Sequence, residues 1–269
     1  MGRKHIQGLG GVEKDCAKAV LYYKDVAHHV ATQSTEINKY VEKIYLQKEI
    51  FNMNFNAFAD FKFQKATLDE KLLFESLKIN TPKKFMNHDL FRYLNGKYDS
   101  TFDVESFLTQ AFTLPKEELK SVASIVGYIL YRGIRVDKNF KKAYEMFKMA
   151  AGNREPKGLN GLGLMYLNGD HVIKDALKAY YLFEKAANLG DSDAQFNLGS
   201  LMIYSENNDI PRDVDTGFKY ITLSGQQGHL GALYAHAIAY MEGSDFYSTC
   251  DTAARLFGAV VERGEWNIF

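Results

Sequence analysis

The sequence predicts an all-α fold, an α-solenoid of helix-turn-helix repeats, and three observations carry that reading. Glycines inside SIVGYILYRG, LNGLGLMYLNG and QFNLGSLMIYS fall at Gly127, Gly163 and Gly199, 36 residues apart both times. A second column of small residues stands at Ala143, Ala179, Gly217 and Ala253, with spacings of 36, 38 and 36, and Phe147, Phe183, Ile221 and Phe257 follow it four residues later. Self-similarity at such a period is the mark of a repeat array whose units bury a core only by stacking. The third observation is composition. With 46 % hydrophobic and 25 % charged residues and only four prolines in 269, the chain is folded rather than disordered or fibrous.

Each repeat reads as two helices. On the first, helix A, apolar or small residues recur at i, i+4 and i+8: Val122, Val126, Leu130, then Gly158, Leu162, Tyr166, then Ala194, Leu198, Met202. Gly133, Gly169 and Gly243 mark the turn that follows, and Gly190, Gly228 and Gly264 mark the end of the second helix, helix B. Glycine within a helix costs about 0.5 to 1 kcal/mol relative to alanine, so the glycines of helix A need a compensating reason, and close helix approach supplies one. The expected units are 122–154, 158–190, 194–228 and 232–266, with the two-residue excess placed in the loop SENNDIPRD. Two departures stand out: Ser205 takes the place of a turn glycine, and Arg154 stands where other units have Gly190, Gly228 and Gly264.

The remainder is read more coarsely. Residues 1–27 form a partial repeat. Residues 28–119 have no clean period and are expected to be degenerate helical repeats or a helical linker, with apolar clusters at Phe51, Phe55 and Phe58, at Leu72, Phe74 and Leu77, and at Leu90, Phe91 and Leu94. Pro82 and Pro115 fall between such stretches, where helix boundaries belong.

Charge excludes some partners. The 33 basic residues are balanced by 33 acidic ones, so no global field draws in nucleic acid or an anionic membrane. The longest uncharged apolar run, Ser121 to Tyr131, is about half of what spans a bilayer. The first 25 residues hold no signal-peptide core, and no Asn-x-Ser/Thr acceptor occurs.

Candidate chemistry reduces to packing. Cys16 and Cys250 each stand three residues before the small helix-B residue, Ala19 or Ala253, and read as buried thiols that leave the redox compartment open. His28 and His29 are adjacent, cannot chelate as an i, i+4 pair, and read as a solvated helix end. The glycines near Gly8 and Gly158 imitate phosphate loops, but no strand precedes them and no GKS or GKT follows. The lysines between Lys138 and Lys142 read as a solvated face. No nucleophile–base–acid set, metal-ligand spacing or cofactor motif emerges, so the expectation is no enzyme, no metal and no cofactor.

What does recur is a second apolar stripe on helix A, formed by Tyr128, Tyr131, Leu164, Leu167, Phe196, Ile203, Tyr234, Ile238 and Met241. It can pack on the neighbouring helix A, or part of it can line a concave groove that accepts a partner's helix or extended peptide.

The residues also carry a resemblance. Leu162-Gly163-Leu164-Met165-Tyr166-Leu167-Asn168-Gly169, followed by Lys178-Ala179, Phe183-Glu184-Lys185-Ala186-Ala187 and Gly190, resembles the Sel-1-like repeat, a tetratricopeptide-related helical pair. The N-terminal GLGGVEKDCAKAVLYYKDVAHHVA, a long non-repeat insert, and repeats closing on Thr252-Ala253 and Glu262-Arg263-Gly264-Glu265-Trp266 are similar to the middle part of the Sel-1 adaptor family. That resemblance implies a non-catalytic adaptor on the lumenal side of the endoplasmic reticulum. There it would link a membrane ubiquitin ligase complex to lectins or misfolded clients in ER-associated degradation. A cytosolic or periplasmic protein-interaction solenoid is the alternative, and a repeat-type hydrolase is a third. The chain begins inside a repeat and stops after a helix B without a polar cap, from which a fragment of a longer chain, or a homodimer through the terminal repeat, is expected.

Overall fold

The computed structural model describes residues 15–34, 104–134, 136–205, 207–242 and 246–262. They form eleven α-helices and, among the described residues, no β-strand: α1 (Cys16–Ser34), α2 (Val104–Phe112), α3 (Lys116–Lys120), α4 (Ala123–Arg132), α5 (Phe140–Gly152), α6 (Pro156–Asn168), α7 (Ala176–Asn188), α8 (Ser192–Tyr204), α9 (Val214–Gln226), α10 (Leu230–Glu242) and α11 (Phe246–Glu262). The fold is all-α and built of solenoid repeats. The chain divides into two compact units, Thr67–Gly217, and Met1–Ala66 with Phe218–Phe269.

In the unit Thr67–Gly217, α4 packs on α5, α5 on α6, α6 on α7 and α7 on α8, while the helices A also touch one another, α4 on α6 and α6 on α8. That is the stacking the period calls for. The glycines of helix A make it possible. The ring of Phe147, fully buried on α5, lies over Gly127 of its own repeat and Gly161 of the next, and a Cβ at Gly127 would stand 2.6 Å from its Cε1. Phe183 of α7 lies over Gly163 in the same way, 2.5 Å from where a Cβ would be. Each phenylalanine is a knob, and the missing side chains make its hole.

Helix B begins the same way in successive repeats. Asn139, Asp175 and Asp213 accept the backbone N–H three residues on, at 3.0, 2.8 and 3.0 Å, and Asp15 does so for Lys18 at 3.0 Å. Helix A ends in a left-handed glycine at Gly133 and Gly169, with φ of 71° and 82°. Where Ser205 replaces that glycine, the chain leaves α8 in an extended conformation, φ −66° and ψ 135°, into a longer loop. Arg154 does the opposite and takes the glycine's conformation, φ 57°.

Of the segment 28–119, residues 35–103 lie outside the described residues, and with them the expected helices around Phe51, Leu72 and Leu90. Residues 28–34 continue α1 without a break. α2 buries Val104, Phe107, Leu108 and Ala111, one helical stripe, and Pro115 caps α3.

In the other unit, α10 and α11 pack as a hairpin and α1 lies against both, chiefly against α11. Here two expectations are corrected. Cys16 and Cys250 are not free thiols: they form a disulfide across a sequence separation of 234, with Cα atoms 5.8 Å apart. Each thiol does sit at a helix packing position, but the two helices that carry them pack on each other. His28 is not at a solvated helix end. It is inside α1, half-buried, with its ring centroid 5.6 Å from that of Tyr234 on α10.

Candidate interaction surface

Seven of the nine stripe residues are buried by the chain itself: Tyr131, Leu164, Leu167, Phe196, Ile203, Tyr234 and Ile238 are all at or below 8 % exposure. Tyr128 and Met241 are half-buried. In Thr67–Gly217 the two tyrosines are tied into the next repeat. Tyr128 packs edge-on to Phe147 with centroids 4.9 Å apart, accepts from Asn160 Nδ2 at 2.9 Å and donates to the Lys157 carbonyl at 3.4 Å. Tyr131 donates to Asp170 at 2.9 Å and accepts from Asn168 at 2.8 Å. In the other unit Tyr234 meets Phe257 edge-on at 5.9 Å.

A polar ladder runs inside the helix-A layer. Asn197 of α8 donates to Asn160 Oδ1 of α6 at 2.8 Å, and Asn160 in turn donates to Tyr128 of α4, so three consecutive repeats share one hydrogen-bonded line. Asn160 and Asn197 are at 1 % and 3 % exposure. A buried amide costs free energy unless both ends find partners, so this line sets the register of the repeats as well as their contact. Sequence reasoning passed over it. The available signal was an asparagine inside an otherwise apolar helix, twice, 37 residues apart.

A second polar group gathers where helices A begin. Asp191 caps α8 by accepting from Ala194 N at 2.9 Å and receives Lys157 Nζ of α6 at 3.4 Å; Asp193 lies 3.5 Å from the same ammonium. The two carboxylates hold the Lys157 ammonium well above its ordinary pKa, Asp191 contributing most. Ser124 of α4 donates to Glu155, whose carboxyl is pushed up by burial. With about a third of Lys157 exposed, these contacts orient the repeats more than they stabilise them.

On the helix-B side the chain keeps aromatic surface open. Tyr144 and Tyr166 hydroxyls are 3.5 Å apart, Lys178 Nζ sits 4.0 Å from the Tyr166 ring centroid, and His171 lies 5.7 Å from Tyr144. Among the described residues of this unit, the large apolar side chains left exposed are Phe112, Ile173, Tyr181 and Leu189, the last three around α7 and Ile173 at 91 %. A shallow cleft of about 380 Å³ between α3 and α5 is lined by Lys116, Lys120, Lys148 and Glu145. Among the described residues no group of three or more His, Cys, Asp or Glu is placed to hold a metal ion, and no helix is long and apolar enough to cross a membrane. The arrangement offers shape, aromatic contact and charge for holding another protein.

Comparison with known proteins fits this picture. The model of the Sel1 repeat matches residues 1–24, 123–153, 156–191 and 192–229. A 55-residue stretch is 47 % identical to the ERAD-associated E3 ubiquitin-protein ligase component HRD3B of Arabidopsis thaliana, covering 20 % of this chain and 9 % of that protein. The chain therefore matches less than a tenth of that relative's length. Among solved structures, a protective antigen of uropathogenic Escherichia coli displaying an SLR fold is similar at 25 % identity over 61 % of this chain and 34 % of that one, with a TM-score of 0.45. A Sel1 repeat protein from Oxalobacter formigenes is similar at 19 % identity over 72 % and 83 %, with a TM-score of 0.47. With a periodic glycine column, a ring seated on Gly127 and on Gly163, and four segments that match the repeat model, the chain carries Sel1 repeats.

Proposed function

We propose that this chain is a non-catalytic scaffold of ER-associated degradation, joining a membrane ubiquitin ligase complex to its lectins or misfolded clients on the lumenal side of the endoplasmic reticulum. The observation that carries the reading is the 55-residue segment 47 % identical to a named component of such a ligase. The mechanism is geometric. Stacked helices locked by ring-on-glycine seats and a shared amide ladder keep partner sites at fixed separation, which raises the partners' effective concentration without chemistry.

Most of the helix-A stripe is consumed by stacking, so the open aromatic and apolar side chains around α7 are the first place to look for a partner contact. The test is a pull-down of the tagged chain from detergent-solubilised ER membranes. Recovery of ubiquitin ligase subunits, reduced by Tyr181→Ala with Ile173→Asp, supports the proposal. Recovery of none, with a correctly folded bait, rejects it.

A further inference from the structure

Cys16 and Cys250 hold equivalent places in the repeat, three residues before Ala19 and Ala253, and those alanines are both fully buried. The helices that carry them lie side by side and run in the same direction. Cys16 meets Cys250 near one end; seven residues on, Tyr23 Cε2 is 3.6 Å from where a Cβ at Gly258 would stand; further along, His28 reaches Tyr234 of α10. The buried face of α1, with Ala19, Val20, Ala27, Val30 and Ala31, covers a hairpin whose own buried face includes Ala253, Ala254, Phe257 and Val260. α1 touches the helix B and helix A of the last hairpin, the same two neighbours that α6 has in α5 and α4 and that α8 has in α7 and α6. It fills the place of a following repeat's helix A, in the reverse direction.

We infer that the Cys16–Cys250 bond is a covalent clasp, made by thiol–disulfide exchange in an oxidising compartment, that fastens α1 as an end piece over the α10–α11 hairpin. The Cα separation of 5.8 Å lies within the range that bridged cysteines occupy. Cys250 is fully buried and Cys16, at the start of α1, is partly exposed, so Cys16 is the thiol a carrier reaches. Its thiolate attacks the disulfide of an oxidised dithiol carrier protein, forming a mixed disulfide and expelling one carrier thiolate. The Cys250 thiolate then attacks Cys16 Sγ, forms the bond and expels the second carrier thiolate. The two cysteines lose two electrons and two protons, and the carrier leaves as a dithiol. The inference is independent of which ligase or client the scaffold serves, because any oxidising compartment satisfies it.

The experiment takes the full chain from an oxidising compartment, quenched in acid with an alkylating agent, and cleaves it at methionine under the same denaturing conditions. The peptides ending at Met53 and beginning at Glu242 should be recovered joined, and should separate on reduction. Recovery of both peptides alkylated at cysteine and unjoined overturns the bond. Hydrogen exchange then tests the clasp separately. In the Cys16→Ser, Cys250→Ser double variant, amides of α1 should exchange at least about tenfold faster than in the oxidised parent, with α4 to α8 unchanged. Unchanged α1 protection would overturn the fastening role even if the bond is present. A chain that is oxidised and clasped yet recovers no ligase would sink the proposed partner and leave this inference standing.

Discussion

Substituting Gly163 by alanine tests whether the helix-A glycines exist to seat the rings of helix B. Alanine is the better helix former by about 1 kcal/mol, so on propensity alone the change stabilises α6. The structure predicts the reverse. A Cβ at residue 163 stands 2.5, 2.7 and 3.0 Å from Cε1, Cδ1 and Cζ of Phe183, whose side chain is fully buried. The ring must move into a packed interior, and overpacking of this kind costs about 1 to 3 kcal/mol. The net expectation is a loss of up to about 2 kcal/mol. Urea unfolding followed by far-ultraviolet circular dichroism reads it as a lower midpoint at unchanged slope. Two further variants complete the argument. Gly152→Ala meets nothing within 4 Å, so it should be neutral or stabilising. Phe183→Leu shortens the knob, so adding Gly163→Ala to it should cost at least about 0.5 kcal/mol less than adding it to the parent. A Gly163→Ala protein as stable as Gly152→Ala would refute the seat-and-ring account.

Three other outcomes follow from local geometry. Asn197→Ala leaves Asn160 Oδ1 without its ladder donor and should cost about 1 to 3 kcal/mol in the same unfolding assay, whereas replacing Asn160 and Asn197 together by leucine should recover part of the loss. Arg154→Gly should stabilise by about 0.5 to 1 kcal/mol, since Arg154 holds φ 57°, less whatever backbone freedom glycine adds to the unfolded chain. His236 is fully buried on α10, and burial pushes its pKa down from 6.5 to about 4. The unfolded chain therefore binds a proton near pH 6.5 that the folded chain refuses until about pH 4. Stability present above pH 6.5 should fall by about 3 kcal/mol as pH drops to 4, and His236→Phe should remove that portion of the slope; a pH series of unfolding midpoints checks it.

The repeat architecture was legible because its cause is periodic. Gly127, Gly163, Phe147 and Phe183 recur at one interval, and a column that repeats every 36 residues can only be a stacking position. The asparagine and aspartate caps of helix B recur with it, 36 and then 38 residues apart. What could not be read was anything that joins two segments distant in sequence by a single pair. Cys16 and Cys250 look like two packing thiols until α1 is placed beside α11, and no local pattern states that adjacency. The apolar stripe was visible, but its share in stacking was not. Periodicity fixes which side chains share a face, whereas the neighbour that covers the face depends on the angle between repeats, and here Tyr131, Leu164 and Phe196 are covered. The cluster of Tyr144, Tyr166 and Lys178 escaped notice because it assembles from three helices, each contributing one side chain that is ordinary on its own.

Proximity labelling in living cells, with the labelling enzyme fused to this chain and neighbours identified by mass spectrometry, bears most directly on the scaffold reading. The account predicts enrichment of lumenal ER proteins together with subunits of a membrane ubiquitin ligase, and a loss of the ligase signal when Tyr181 and Ile173 are replaced. Neighbours drawn wholly from the cytosol, or a lumenal set with no ligase among them, would contradict it.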